Sequence, residues 1–175
     1  LPWFLLNKFV GAEMDHKEKK IKLSLPVAIE KIKSWCAYQE RSHFETQNKL
    51  YEYGLNKADV DQAIAVLISD NFLNEERFAE SFARGKFRIK HWGKNKIKQE
   101  LKMRKVSDYS IKKALKQIED KEYVQTLEKL IHKKWKETKE KNDYKKKYKV
   151  LQYVVSRGFE SDIANELIKM TNEEQ

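Results

Sequence analysis

An all-α fold, built as three tandem three-helix repeats in an elongated, curved array, is what the sequence predicts, and three observations predict it. Five glycines and two prolines in 175 residues leave little material for tight turns, while 37% charged and 40% hydrophobic residues suit amphipathic helices in water. A pattern then recurs. The stretches "KLYEYGLNKADVDQAIAVLI" (49–68), "ELKMRKVSDYSIKKALKQI" (100–118) and "VVSRGFESDIANELIKM" (154–170) align so that Leu50, Leu101 and Val154 close one helix and Leu55, Val106 and Phe159 sit in the following turn. Third, Val60-Ile64-Leu67, Ile111-Leu115-Ile118 and Ile163-Leu167-Met170 each form an i, i+4, i+7 apolar stripe, one face of a helix.

Residues 1–25 are set apart as an N-terminal extension, read as disordered or non-native and given no function. "LPWFLLNKFV" is apolar but far shorter than the roughly 20 residues of a membrane span, and it lacks a basic n-region and a small-residue cleavage site. The first methionine is Met14, so residues 1–13 read as upstream read-through or part of a truncated product. No membrane segment is expected.

The first repeat, residues 26–71, opens with a helix face of Val27, Ala28, Ile32 and Cys36. Ser42-His43-Phe44-Glu45 is a capping box for the next helix, Gly54 stands where a left-handed residue would end it, and Asn56 caps the third between an apolar Leu55/Val60 pair. Cys36, the single cysteine, rules out an internal disulfide. It reads as a small buried hydrophobe rather than a nucleophile, and fits a reducing cytoplasm.

The second repeat, residues 72–119, begins with the cap Asn74 inside a Leu73/Phe78 pair. Glu75 and Glu76 then fall in the first turn, where carboxylates meet the positive end of the helix dipole. Phe78, Ala79, Phe82, Ala83 and Phe87 form the core face, expected to be shared with the repeat before it. Ser107 caps the third helix. Lys105 occupies the place of Gly54, so its turn either avoids positive φ or carries a small strain. In the third repeat, residues 120–171, Val124, Leu127, Ile131 and Trp135 supply the first face, Tyr144, Tyr148, Leu151 and Val155 an apolar face read as core, and Gly158 the left-handed turn.

Enzymatic chemistry has no foothold. The scattered glycines form neither a phosphate loop nor a dinucleotide fingerprint, and His16, His43, His91 and His132 show no metal-ligand spacing. The acids alternate with lysines at helical spacing, as in Lys96, Glu100 and Arg104, which reads as solvated pairing rather than a carboxylate dyad. No cofactor, no metal and no catalytic residue are expected.

Charge is informative. The net charge is +10, with an isoelectric point near 9.4, which predicts a polyanionic partner. From Arg84 to Lys105 there are ten basic residues against one acid, Glu100. Lys94, Lys98, Lys102 and Lys105 fall at i, i+4, i+8 and i+11, a stripe about 16 Å long, and Lys145 and Lys149 project from one face of a later helix. Phosphate contacts of this kind would position the protein without reading sequence.

"FLNEERFAESFARGKFRIKHWGKNKIKQELKMRKV" resembles the central signature of the RecX family of recombination regulators through Arg77, Phe78, Ala79, Arg84, Gly93, Ile97, Glu100 and Leu101. The resemblance covers about residues 27–170. The chain departs from it at Gln39, where many members carry an arginine, and at Lys105, where glycine is usual. The resemblance implies a cytoplasmic, monomeric regulator that binds the RecA recombinase filament on single-stranded DNA and lowers its ATPase, strand-exchange and co-protease activity. Arg77, Arg84, Arg88, Lys90, Lys94, Lys98, Lys102, Lys105, Lys145 and Lys149 are the expected recombinase or DNA contacts, with duplex DNA a further phosphate partner. The competing reading is a stand-alone, sequence-tolerant DNA-binding module. A helix-turn-helix repressor fits less well, because "SDYSIKKALKQI" and "NKADVDQAIAVLI" start with small or acidic residues rather than base-reading ones.

Overall fold

The computed structural model describes residues 22–173; residues 1–21, most of the N-terminal extension, lie outside the described residues. Nine helices and no strand occur among the described residues. The first three are α1 (Leu25–Tyr38), α2 (His43–Glu52) and α3 (Lys57–Ser69). The next three are α4 (Glu75–Lys90), α5 (Lys94–Met103) and α6 (Asp108–Lys116), followed by α7 (Asp120–Glu137), α8 (Asp143–Ser156) and α9 (Ser161–Glu173). The first unit begins before residue 26: the Leu23 N–H donates to the Tyr53 carbonyl at 2.9 Å, and Leu23 and Leu25 pack on the first core.

The caps explain where helices start. Ser42 and Glu45 form a reciprocal capping box at α2, with both bonds at 3.1 Å, while Asn56, Asn74, Ser107 and Asn142 accept from the third residue of α3, α4, α6 and α8. The second helix of each triplet ends in the same way three times. Gly54, Lys105 and Gly158 have φ of +81°, +56° and +90°. The next N–H returns to the last buried residue of the helix: Leu55 to Leu50, Val106 to Leu101 and Phe159 to Val154, at 3.4, 3.2 and 3.2 Å. Lys105 therefore takes the strained alternative, which costs a residue with a Cβ about 1 kcal/mol. Lys105→Gly is expected to raise stability by about 0.5–1 kcal/mol, since added chain entropy in the unfolded state offsets part of the relief; a thermal melt unchanged or lowered would show that the turn is unstrained.

Two separate cores result. Ala28, Ile32, Cys36, Leu50, Leu55, Val60, Ala63, Leu67 and Leu73 form one, and a larger cluster runs without a break from Phe78 to Ile168. The aromatic face of α4 thus belongs with the helices after it, not with the repeat before it. The reason is that α4 packs most extensively on α6, while no helix of the first triplet makes a comparable contact with α4.

Some stripes are rotated from their expected position. Val27 is exposed, Tyr123 rather than Val124 is buried in α7, and Ala164 and Ile168 rather than Ile163 and Met170 fill the core from α9. In α8 the buried residues are Val150 and Val154, while Tyr144 is 81% and Tyr148 56% exposed. Successive helical residues stand 100° apart, so two apolar stripes on one short helix compete, and only packing selects between them.

Repeats two and three are joined through their backbones. Gly93 N–H donates to the Arg157 carbonyl at 2.8 Å and Asn95 N–H to the Gly158 carbonyl at 3.0 Å; Arg157 donates to the Lys90 carbonyl at 2.9 Å. Tyr123 accepts from the Lys94 N–H at 3.1 Å and donates to Glu160, with its ring between Phe87 and Phe159. Burial and the Glu160 carboxylate keep that phenol protonated across the working pH range.

Candidate anion-binding groove

Helix α5 carries lysines at positions that periodicity puts on one side, and α6 lies against it. Between them is a groove of about 720 Å³, lined by Lys94, Lys98 and Lys102 from α5 and by Lys112 and Lys116 from α6. Leu115 and the edges of Ile111 and Ile118 make an aliphatic floor, and acids stand at both ends: Asp108 at one, Glu119 and Asp120 at the other. Lys94 pairs with Asp120 at 2.9 Å and Lys102 with Asp108 at 3.2 Å. Lys98, Lys112 and Lys116 have no acidic partner among the described residues, so the uncompensated charge lies at the middle of the groove.

The structure brings only part of the expected basic set together. Lys94, Lys98 and Lys102 share the groove, but Lys105 leaves the stripe: its left-handed backbone turns it away from α5, and its ammonium stands 4.7 Å from the Phe44 ring centroid. Arg77 is a brace, donating to the Asn71 side chain at 2.9 Å, to the Asn71 carbonyl at 3.0 Å, and to the Glu40 carboxylate. Arg84 and Arg88 line a separate small pocket with Glu80 and Glu122, where Arg88 meets Glu122 at 3.4 Å. Lys90 is exposed at the border of the first two triplets. On α8, Lys145 is exposed, whereas Lys149 is paired with Glu140 at 2.9 Å, which holds that carboxyl below its usual range.

Lys112 and Lys116 lie beyond the basic run from Arg84 to Lys105 that the charge pattern marks. Their i, i+4 spacing on a helix with a strong apolar stripe was the available signal, but Asp108 and the flanking Glu119 and Asp120 diluted the local charge excess. No helix among the described residues is long and apolar enough to cross a membrane, and no cluster of three metal-ligating side chains occurs among them.

A polar seam separates the two cores. Arg104 spans it, donating to Glu45 of the capping box at 3.3 Å and to Glu100 at 2.7 Å. Glu75 does more than begin α4: it accepts from the Ser110 hydroxyl at 2.8 Å and from both the hydroxyl and backbone N–H of Ser107, tying α4 to α6, while Glu76 pairs with Lys113. Burial pushes the Glu75 carboxyl upward, but these hydrogen bonds and nearby His43 outweigh it and leave the group below its usual range. His43, whose Nε2 is buried without a hydrogen-bond partner, is held below its ordinary value of 6.5 by burial, against the opposing field of Glu75.

Both groups make the seam acid-sensitive. The stability contributed by Glu75 is present above the unfolded value near 4.5 and is lost as pH falls through the lower folded value; that from neutral His43 is complete above 6.5 and declines below it. Glu75→Gln is expected to cost about 1 kcal/mol at neutral pH and to flatten the loss of stability below pH 4.5. Denaturant midpoints measured across the acid range check this, and a variant as acid-labile as the parent would remove Glu75 from the account.

Comparisons with known proteins agree with this architecture. Residues 74–115 match the profile described as "RecX, second three-helix domain", and residues 120–168 that described as "RecX, third three-helix domain". The chain is 31% identical over 149 residues to "Regulatory protein RecX" of Haemophilus influenzae (strain PittGG), a match covering 85% of this chain and 97% of that protein. It is 32% identical over 133 residues to the Clostridium perfringens (strain SM101 / Type A) protein of the same name, across 74% of this chain and 62% of the relative. Against the Lactococcus lactis relative the match spans half of that protein's length. Among solved structures, RecX from Lactobacillus salivarius superposes with a TM-score of 0.76 at 23% identity, covering 85% of this chain and 96% of that one. A second crystal structure, of a regulatory protein RecX, gives 0.75 at 22% identity, over 83% of this chain and 71% of the other. These two show the shared fold.

Proposed function

Since the chain belongs to the RecX family of regulatory proteins, we propose that it restrains the RecA recombinase on single-stranded DNA, reducing ATP turnover, strand exchange and co-protease activity. The observation that carries this reading is the construction of repeats two and three. They match the family profiles, share one core, and are fastened by backbone hydrogen bonds at Gly93, Asn95 and Gly158. A body that presents several repeats in fixed register can touch successive protomers of a polymer at once and gain avidity without one large patch. The contacts are made by exposed basic side chains around it, among them Arg84, Lys90 and Lys145.

Stand-alone DNA binding is the second reading, and the exposed Tyr144 and Tyr148 beside Lys145 favour it. Aromatic faces next to cations are platforms for unstacked bases. Titration of the chain into RecA turning over ATP, with single-stranded DNA in large excess, separates the two. Under the recombinase reading, turnover falls when the chain is well below one copy per recombinase protomer. Inhibition that appears only as the DNA itself becomes covered assigns the effect to the DNA-binding reading.

A further inference from the structure

We propose that the α5–α6 groove is a docking site for an acidic, amphipathic helical segment of a protein partner, about two to three turns long. The aliphatic side of the segment would rest on Leu115 and its carboxylates would meet Lys98, Lys112 and Lys116. The proposal concerns the ligand chemistry of one groove and stands independently of the recombinase reading.

Three features select this occupant. Lysines on both walls repeat every four residues, about 6 Å along the helix axis, which is also the rise between carboxylates at i and i+4 of a docked helix. From Lys94 to Lys102 the α5 wall runs about 12 Å, the length of rather more than two helical turns. The floor between the walls is aliphatic: half-buried Leu115, the edges of Ile111 and Ile118, and the methylene stems of the lysines themselves. An apolar helix face gains by covering such a floor, whereas a sugar-phosphate backbone has nothing to place there, and among the described residues no aromatic ring lines the groove to stack a base.

The third feature is the arrangement of charge along the groove. Asp108 closes one end and Glu119 and Asp120 the other, with Asp108 and Asp120 already paired with Lys102 and Lys94. Among the described residues, the lysines left without an acidic partner, Lys98, Lys112 and Lys116, lie at the centre. A nucleic-acid strand continuing through would carry its phosphates past carboxylates at each end. A short acidic helix ends before it reaches them, and basic residues at its termini would meet them favourably.

The test uses the full chain and a fluorescein-labelled synthetic helix of about fourteen residues, with leucines at i, i+4, i+7 and i+11 flanked by glutamates. A scrambled peptide of the same composition and an oligo-dT strand serve as competing ligands. Anisotropy titration is expected to show the striped peptide binding about tenfold or more tighter than the scrambled one, the difference a buried leucine face makes. Lys112→Glu and Lys116→Glu, both at exposed positions, should each weaken it severalfold. Leu115→Gln should weaken the peptide about fivefold or more and leave oligo-dT affinity within about twofold, while Leu115→Met retains binding. Circular dichroism checks that each variant is folded. Equal binding of striped and scrambled peptides overturns the proposal. So does displacement of the peptide by oligo-dT together with an unchanged peptide affinity in Leu115→Gln, which would make the groove a nucleic-acid site; Lys112→Glu and Lys116→Glu decide the matter if Leu115→Gln fails to fold.

Discussion

Gly158→Val is expected to lower the melting temperature by roughly 10 °C or more, the effect of losing about 3–4 kcal/mol in a chain of this size. Two costs combine. The φ of +90° is one that a β-branched residue reaches only under strain, and any Cβ at this position would land on the backbone and side chain of Lys96 in the first turn of α5. The contact is mutual, because a methyl at Gly93 would collide with the Gly158 carbonyl and the Phe159 N–H. Neither partner is the flexible end of a side chain, so the two repeats would have to separate, losing the Gly93–Arg157 and Asn95–Gly158 hydrogen bonds. Gly85→Ala is the matched control: a Cβ there meets nothing within 4 Å, and helix propensity predicts a gain of about 0.5–1 kcal/mol. Thermal melts of both variants decide it, and a Gly158→Val melt within a few degrees of the parent would show that the repeats are not held at this point.

Leu50→Ala is expected to destabilise the first triplet by about 2–5 kcal/mol while leaving the second and third near their original stability. Leu50 is fully buried, and the core it belongs to is built from residues between Leu23 and Leu73. The link to the rest of the chain is the polar seam, where Arg77–Glu40, Arg104–Glu45 and their neighbours are partly exposed, and such pairs transmit little stability in water. Leu127→Ala should behave differently, since Leu127 sits in the core shared by α4–α9, so both later triplets should loosen together. Amide hydrogen exchange resolves the two cases. Equal loss of protection across α1–α9 in Leu50→Ala would mean that the seam couples the cores more strongly than its composition implies.

The local rules of helix construction were legible without coordinates. Asn56, Asn74 and Ser107 cap where the sequence pattern places them, and Ser42 with Glu45 makes its box, because each of these bonds joins residues three apart and depends on nothing distant. The burial of Leu50, Leu101 and Val154 and the left-handed turns at Gly54 and Gly158 were equally readable. Less was legible where two stripes compete on one helix. Tyr144 and Tyr148 look like core in the sequence because Leu151 and Val155 continue their line, yet α7 and α9 pack on the Val150–Val154 side and leave the tyrosines in water. The candidate site was half visible: Lys94, Lys98 and Lys102 follow from one helical period, but Lys112 and Lys116 become their neighbours only when α6 folds back along α5.

By itself, then, the sequence determined an all-α chain of repeated three-helix units, its caps and turns, its basic excess between Arg84 and Lys105, and the signature it shares with RecX regulators. Only the tertiary structure decided that the aromatic face of α4 joins the later core, that Arg77 and Glu75 hold helices together, and that Lys105 leaves the lysine stripe. It also showed that Lys94 and Lys102 are paired with acids while, among the described residues, Lys98, Lys112 and Lys116 are not. The physical reason is range. Caps, turns and amphipathic stripes are set by interactions within about one or two helical turns, which residue order states directly. Which charge finds a partner, and which apolar stripe finds a core, depends on how helices far apart in the chain come to lie side by side.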